Sequence, residues 1–200
     1  MSREKPKINR KGSTNESTPH DRCQTPVYAL DPILPYIPKG SHIWEPCCGE
    51  GHIVTTLANA GGFTVTGTDI LYGENFFDWQ PPVWDVIVTN PPYTIKYKWI
   101  ERCLALERPF ALLVPWDTPA AAACWNAFAT YQKDFEIIVI TPRVNFKMPN
   151  LGYTGNGAQF STCWLTHGLA LGKQLQRVPI TRRPDPWDAT TLITRHPCTP

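Results

Sequence analysis

Apolar and polar positions change texture twice along the 200-residue chain. Residues 1–24 mix Ser, Thr, Asn, Lys and Arg without periodicity, the pattern of a flexible arm. From Thr25 short apolar runs begin. Ile43-Trp44-Glu45 predicts a strand ending in an acid. After a turn, Ile53, Val54, Leu57 and Ala58 recur at helical spacing, and Gly61-Gly62 closes that helix. Alternation over 63–69 predicts a second strand, completing a right-handed βαβ unit. A short third strand is predicted at 75–79 and a buried fourth at 84–89. A helix follows over 96–107, with Ile100, Cys103, Leu104 and Leu106 as its apolar positions. Then come a strand at 110–114, an alanine-rich helix over 118–132 capped by Asp117, and a strand at 136–140. A loop, 141–158, leads to a last strand at 159–166. Strands alternating with helices, then two strands with no helix between them, predict an α/β fold. Its sheet has about seven strands, mostly parallel, with an antiparallel C-terminal hairpin at one edge.

Composition narrows the class. At 42% hydrophobic, with 8 Trp, the chain can bury one real core, which excludes wholesale disorder. Its 7 cysteines (Cys23, Cys47, Cys48, Cys103, Cys124, Cys163, Cys198) are odd in number and contain no C-x-x-C pair. They suggest neither a disulfide framework nor a zinc ribbon, and most read as small core hydrophobes. No run of about 18 apolar residues exists, and Met1 to Lys11 is polar, so the expectation is a soluble, cytoplasmic protein without a membrane partner or a metal.

Charge matters once it is divided along the chain. The net +2 hides six Lys/Arg against three Asp/Glu in 1–22 and five against two in 173–200, leaving 23–172 at −4. The expected organisation is a basic arm (1–24), a catalytic domain (25–172) and a second basic arm rich in Pro and Arg (173–200). Arms of this kind suit a polyanion.

Two segments carry chemistry. Glu45-Pro46-Cys47-Cys48-Gly49-Glu50-Gly51-His52 joins a strand to a helix, where glycines let backbone approach a ligand and the helix start offers free N–H groups. Val54 stands where a dinucleotide fingerprint needs its third glycine, and no Gly-Lys-Ser/Thr follows, so neither that motif nor a P-loop is present. The acid opening the loop suits an ammonium group, and Asp69, ending the second strand, lies where such sheets place a ribose-binding carboxylate. The second segment is Asn90-Pro91-Pro92-Tyr93. The prolines hold the Asn90 amide and the Pro91 carbonyl rigidly at the carboxyl edge of the sheet, where both can accept from one exocyclic amine. Tyr93 offers a face on which a base can stack.

With these residues in this order, the chain resembles the S-adenosylmethionine-dependent N6-adenine DNA methyltransferases over about 24–166. The resemblance implies a Rossmann-like class I methyltransferase fold. It also implies that Glu45, Pro46, Cys47, Gly49 and Gly51 cradle the methionine end of S-adenosylmethionine, that Asp69 takes the ribose, and that Ile70 packs on the adenine. Relatives carry Asp-Phe near the third strand to hold and cover that adenine; here Asn75-Phe76 or Asp78 stands there. Thr25-Pro26 is similar to the motif that closes over the cofactor carboxylate. Asn90, Pro91, Pro92 and Tyr93 match the catalytic motif. Arg143 to Phe146 resembles the segment that holds the flipped base from its other face, with Phe146 as the ring. Lys96, Lys98, Arg143 and Lys147 are expected beside the DNA phosphates. Motif order is gamma-like, and the form is most similar to compact phage-encoded enzymes, with no separate target-recognition domain expected.

The implied activity is methyl transfer to adenine N6 in DNA, with the base swung out of the stack and positioning, rather than a strong base, supplying most of the catalysis. Three other readings remain open on sequence. They are the same chemistry on RNA, methylation of a protein glutamine amide, and a non-catalytic nucleic-acid-binding subunit. Cytosine N4 is less favoured because those relatives more often carry Ser at the Asn90 position.

Overall fold

The computed structural model describes residues 23–146 and 160–183. In chain order these form β1 (His42–Glu45), α1 (His52–Ala60), β2 (Thr64–Gly67), β3 (Val86–Thr89), α2 (Lys96–Ala105), β4 (Phe110–Pro115), α3 (Ala122–Thr130), β5 (Glu136–Thr141), β6 (Thr162–His167) and β7 (Leu175–Pro179). The strands make one sheet in the order β2-β1-β3-β4-β6-β5-β7. Only β6 runs antiparallel to its neighbours, β4 and β5. Every other pairing is parallel.

Burial on both faces explains the continuous apolar runs in the central strands. One face, with Ile43, Val88, Leu113, Ile140 and Trp164, packs against Ile53 and Leu57 of α1 and against Tyr28, Leu30 and Ile33 of the segment before β1. The other, with Trp44, Ile87, Leu112, Val114 and Cys163, packs against Trp99, Ile100 and Leu104 of α2 and Phe128 of α3. Trp164 is fully buried, and its indole N–H donates to the Ala29 carbonyl at 2.8 Å, pinning the N-terminal segment to the sheet. Helix α1 starts at Gly51 (φ 81°) and stops at Gly61 (φ 73°), both left-handed positions that glycine fills without strain. No helix among the described residues is long and apolar enough to cross a membrane.

Five expectations change. The segment 75–79 is a turn, not a strand. The Asn75 side chain accepts from the Phe77 N–H at 3.2 Å, and its backbone carbonyl accepts from Asp78 and Trp79, a local closure that competes with pairing. The alanine-rich helix begins later. Asp117 caps nothing with its side chain, Thr118–Ala120 is a single 3-10 turn, and the extended Ala121 (ψ 139°) separates it from α3. The C-terminal hairpin exists as β5 and β6, but β6 lies inside the sheet between β4 and β5. The edge belongs to β7, formed by residues expected in the second arm and paired in parallel with β5. Of the cysteines, Cys103, Cys124 and Cys163 are buried free thiols as expected, whereas Cys48 is disulfide-bonded, which the count did not suggest.

Candidate active site

All six parallel strands point their carboxyl ends to one edge, and the start of β6 joins them there. At the end of β1 the chain turns back on itself. Glu45 is fully buried, and its Oε1 accepts from the Cys47 N–H at 2.9 Å and from the Thr89 hydroxyl at 2.6 Å. That second bond ties the glycine loop to the strand carrying Asn90. Oε2 is also buried and has no hydrogen-bond partner among the described residues. Burial pushes the carboxyl from 4.5 up to about 8; the Thr89 and Cys47 hydrogen bonds oppose the rise, and the charge of Asp69 adds to it. Pro46 is buried beside it.

Asp69 staples the loop from the other side. Its Oδ2 accepts from the Gly49 N–H at 2.9 Å and its Oδ1 from the Leu71 N–H at 2.9 Å, so it also caps the 3-10 turn Ile70–Tyr72. One lone pair on each oxygen is left for a ligand hydroxyl. Ile70 (47% exposed) and Leu71 (62%) form an apolar shelf directly after it. The Asn75 amide is bound to Asp78 at 3.1 Å in the turn described above. Phe76 is 3% exposed and stacks on Trp99, with centroids 4.1 Å apart and planes at 13°, so that one face of its ring is taken up by the core.

At the end of β3, Asn90 presents a buried Oδ1 that has no hydrogen-bond partner among the described residues. A buried amide acceptor left unmatched costs about 1–3 kcal/mol, so it marks a place where a donor is missing. Pro91 and Pro92 are buried behind it. Tyr93 follows in a 3-10 turn and meets two rings nearly at right angles: Phe160 at 5.5 Å and Phe146 at 6.5 Å. Phe146 is 3% exposed, and Phe160 is 39% exposed. The ring on the open side of this group is therefore Phe160, which lies before β6 in sequence and carries no motif of its own.

The N-terminal segment spans the two halves. The Gln24 amide lies against Gly49, 3.2 Å from where a Cβ would stand, and Gly49 itself has φ +51°. Thr25 and Pro26 are buried next to it. Four residues on, the Tyr28 hydroxyl accepts from the Asn145 N–H at 3.1 Å, beside Phe146. Tyr28 carries no motif of its own, and Gln24 adjoins the Thr25-Pro26 pair that the resemblance marks.

The expected phosphate contacts divide. Lys96 is turned onto its own helix start, donating to the Tyr93 carbonyl at 3.3 Å and lying 4.6 Å over the Tyr97 ring. Lys98 and Arg143 are exposed. Lys147 lies outside the described residues.

No family model matches the chain, and no curated protein matches it in sequence. Solved structures do match. A protein from Listeria monocytogenes, named as a class I S-adenosylmethionine-dependent methyltransferase, superposes with a TM-score of 0.53 at 15% identity, over 82% of this chain and 68% of its own. The fold is that of the class I methyltransferases. A modification subunit of a type I restriction enzyme from Vibrio vulnificus is similar at TM-score 0.48 and 14% identity, over 72% of this chain and 44% of that one. A methyltransferase subunit of a type I restriction-modification system from Streptococcus thermophilus gives 0.49 and 10%, over 82% and 46%. The chain thus spans less than half the length of these two subunits. Within the class I methyltransferase fold, the glycine loop and Asp69 occupy the ends of β1 and β2, and Asn90 the end of β3, so the two chemical segments sit on neighbouring strands.

Proposed function

We propose that the chain transfers a methyl group from S-adenosylmethionine to the exocyclic N6 of adenine in DNA. The observation that carries this reading is the buried, unmatched Asn90 Oδ1 at the head of a three-ring aromatic group. An exocyclic amine supplies the missing donor, and a flat base supplies the partner for the rings. A protein glutamine amide has the first feature and lacks the second.

The residues around the glycine loop fit S-adenosylmethionine. Glu45 Oε2 is buried without a partner and becomes an acceptor for a cationic donor once the carboxyl gives up its proton, Asp69 keeps acceptor capacity for ribose hydroxyls, and Ile70 and Leu71 offer an apolar face for an adenine. Bound there, the cofactor would supply an electrophilic methyl group on a neutral thioether leaving group, and the amine that takes the methyl would give up one N–H proton to solvent.

The chain's own part in the reaction is to aim the acceptor nitrogen. The N6 lone pair of adenine is delocalised into its ring. When Asn90 Oδ1 and the Pro91 carbonyl accept its two N–H bonds, electron density returns to nitrogen and points along a fixed direction, because Pro91 and Pro92 leave the backbone little freedom. Tyr93 stacks on the base, worth roughly 1–3 kcal/mol, which offsets the few kcal/mol needed to take it from the helix. The hydrogen bond from Thr89 to Glu45 keeps the strand carrying Asn90 in register with the cofactor loop.

The test is transfer of labelled methyl groups to duplex DNA, single-stranded DNA, RNA and protein substrates. Adenine in DNA is the expected acceptor, and methylation of RNA or protein alone overturns the reading. Asn90→Ala is expected to reduce transfer at least about 100-fold while calorimetry still detects cofactor binding, in line with loss of a preorganised hydrogen bond at the reacting centre. Retained turnover in this variant would sink the assignment.

A further inference from the structure

The chain leaving the seventh strand brings to the carboxyl edge of the sheet a basic residue that the glycine and Asn-Pro-Pro-Tyr segments do not account for. Following β7, the Arg182 guanidinium donates to the Arg143 carbonyl at 2.6 Å. Arg143 lies three residues before Phe146, roughly 10 Å along an extended chain from the ring that touches Tyr93. Both arginine side chains are exposed, and neither has a carboxylate partner among the described residues. The next arginine behaves differently. Arg183 is held by both oxygens of Asp31, at 2.5 and 2.9 Å, so its charge is already matched. The structure thus neutralises one of two consecutive arginines and leaves the other beside Arg143, on the same carboxyl edge as Asn90.

We infer that Arg143 and Arg182 form a clamp for the DNA backbone, gripping a phosphate within one or two nucleotides of the base that enters the Asn90 site. The inference rests on the DNA reading above and adds to it an element, β7, whose part in substrate binding follows from its place in the sheet. Two unmatched positive charges at one edge suit a repeating anion, and the roughly 10 Å offset from the aromatic group matches a contact to a neighbouring nucleotide.

Salt dependence of binding separates this role from a structural one. A phosphate contact releases condensed counterions, so each one adds about 0.9 to the slope of log K against log salt on duplex DNA and about 0.7 on a single strand. Binding of a labelled duplex is measured between low and moderate salt for the unmodified protein, Arg143→Gln, Arg182→Gln and Arg183→Gln. Arg143→Gln keeps the carbonyl that Arg182 uses, so it removes charge without loosening the loop. The slope is expected to fall by about 0.9 in each of the first two variants, to recover in Arg182→Lys, and to stay unchanged in Arg183→Gln. Affinity lost at constant slope, or no change in either quantity, overturns the clamp while leaving methyl transfer to DNA intact. An unmodified protein that binds no DNA overturns both.

Discussion

At Glu45 an exchange of one atom, carboxyl to carboxamide, removes the ability to ionise and keeps the shape. The folded chain holds this carboxyl's proton up to about pH 8, because burial disfavours the charge, whereas an exposed carboxyl releases it near 4.5. Stability is therefore fully present below about pH 4.5. Above that the unfolded state binds fewer protons than the folded one, and stability declines until the folded carboxyl also ionises near pH 8. At about 1.4 kcal/mol per tenfold change, the interval corresponds to about 5 kcal/mol from this group. Glu45→Gln should flatten that decline. Its carboxamide oxygen can keep the bonds from Cys47 and Thr89, while its new NH2 lacks an acceptor, at a cost of about 1–3 kcal/mol at all pH values. The variant should thus be less stable than the parent near pH 5 and as stable or more so near pH 8. Urea denaturation at pH 5, 6.5 and 8 reads this directly. Cofactor binding gives a second reading of the same atom: an ammonium group against Oε2 favours the ionised carboxylate, so binding below pH 8 should release up to one proton. Calorimetry in two buffers of different ionisation heat measures that proton, and Glu45→Gln should release none. Parallel stability profiles for parent and variant, together with cofactor binding that moves no proton, would refute the reasoning.

Two further substitutions probe the aromatic group and the N-terminal segment. Phe160→Ala removes the outermost ring from a position that is 39% exposed; a stacking loss of about 1–3 kcal/mol should raise KM for DNA roughly 5- to 150-fold with little change in melting temperature, and an unchanged KM would remove Phe160 from the site. Trp164→Phe leaves the Ala29 carbonyl without its donor and a space where the indole stood; denaturation should show a loss of about 2–4 kcal/mol, and a loss under 1 kcal/mol would mean the segment is held by other contacts.

The local parts of this protein were legible in its residues. Gly51 and Gly61 bound α1 because each takes a positive φ that follows from glycine alone, and the apolar runs of β3 and β4 state their own burial. Asn90-Pro91-Pro92 announces a rigid acceptor without reference to the rest of the chain. Asn75 is a local signal that works against its surroundings: its side chain closes a turn inside a segment whose pattern predicts a strand, and the Phe76 ring stacks in the core beside it.

Tertiary structure alone decided which distant pieces meet. Apolar periodicity records that a strand is buried and on which side, but not its neighbour, so β6 could pass inside the sheet and β7 could close its edge without a trace in the pattern. Phe160 reads as one apolar residue before a strand until the fold sets its ring against Tyr93, 67 positions earlier. Tyr28 reaches Asn145 across 117 positions, and Thr89 reaches Glu45 across 44. Short-range conformational preference is a property of each residue and its neighbours, and so is written in order along the chain. A hydrogen bond or ring contact between strands depends on the registers that the whole core selects, and the geometry that brings Asn90, Phe160 and Arg182 to one edge of the sheet exists only once that core has formed.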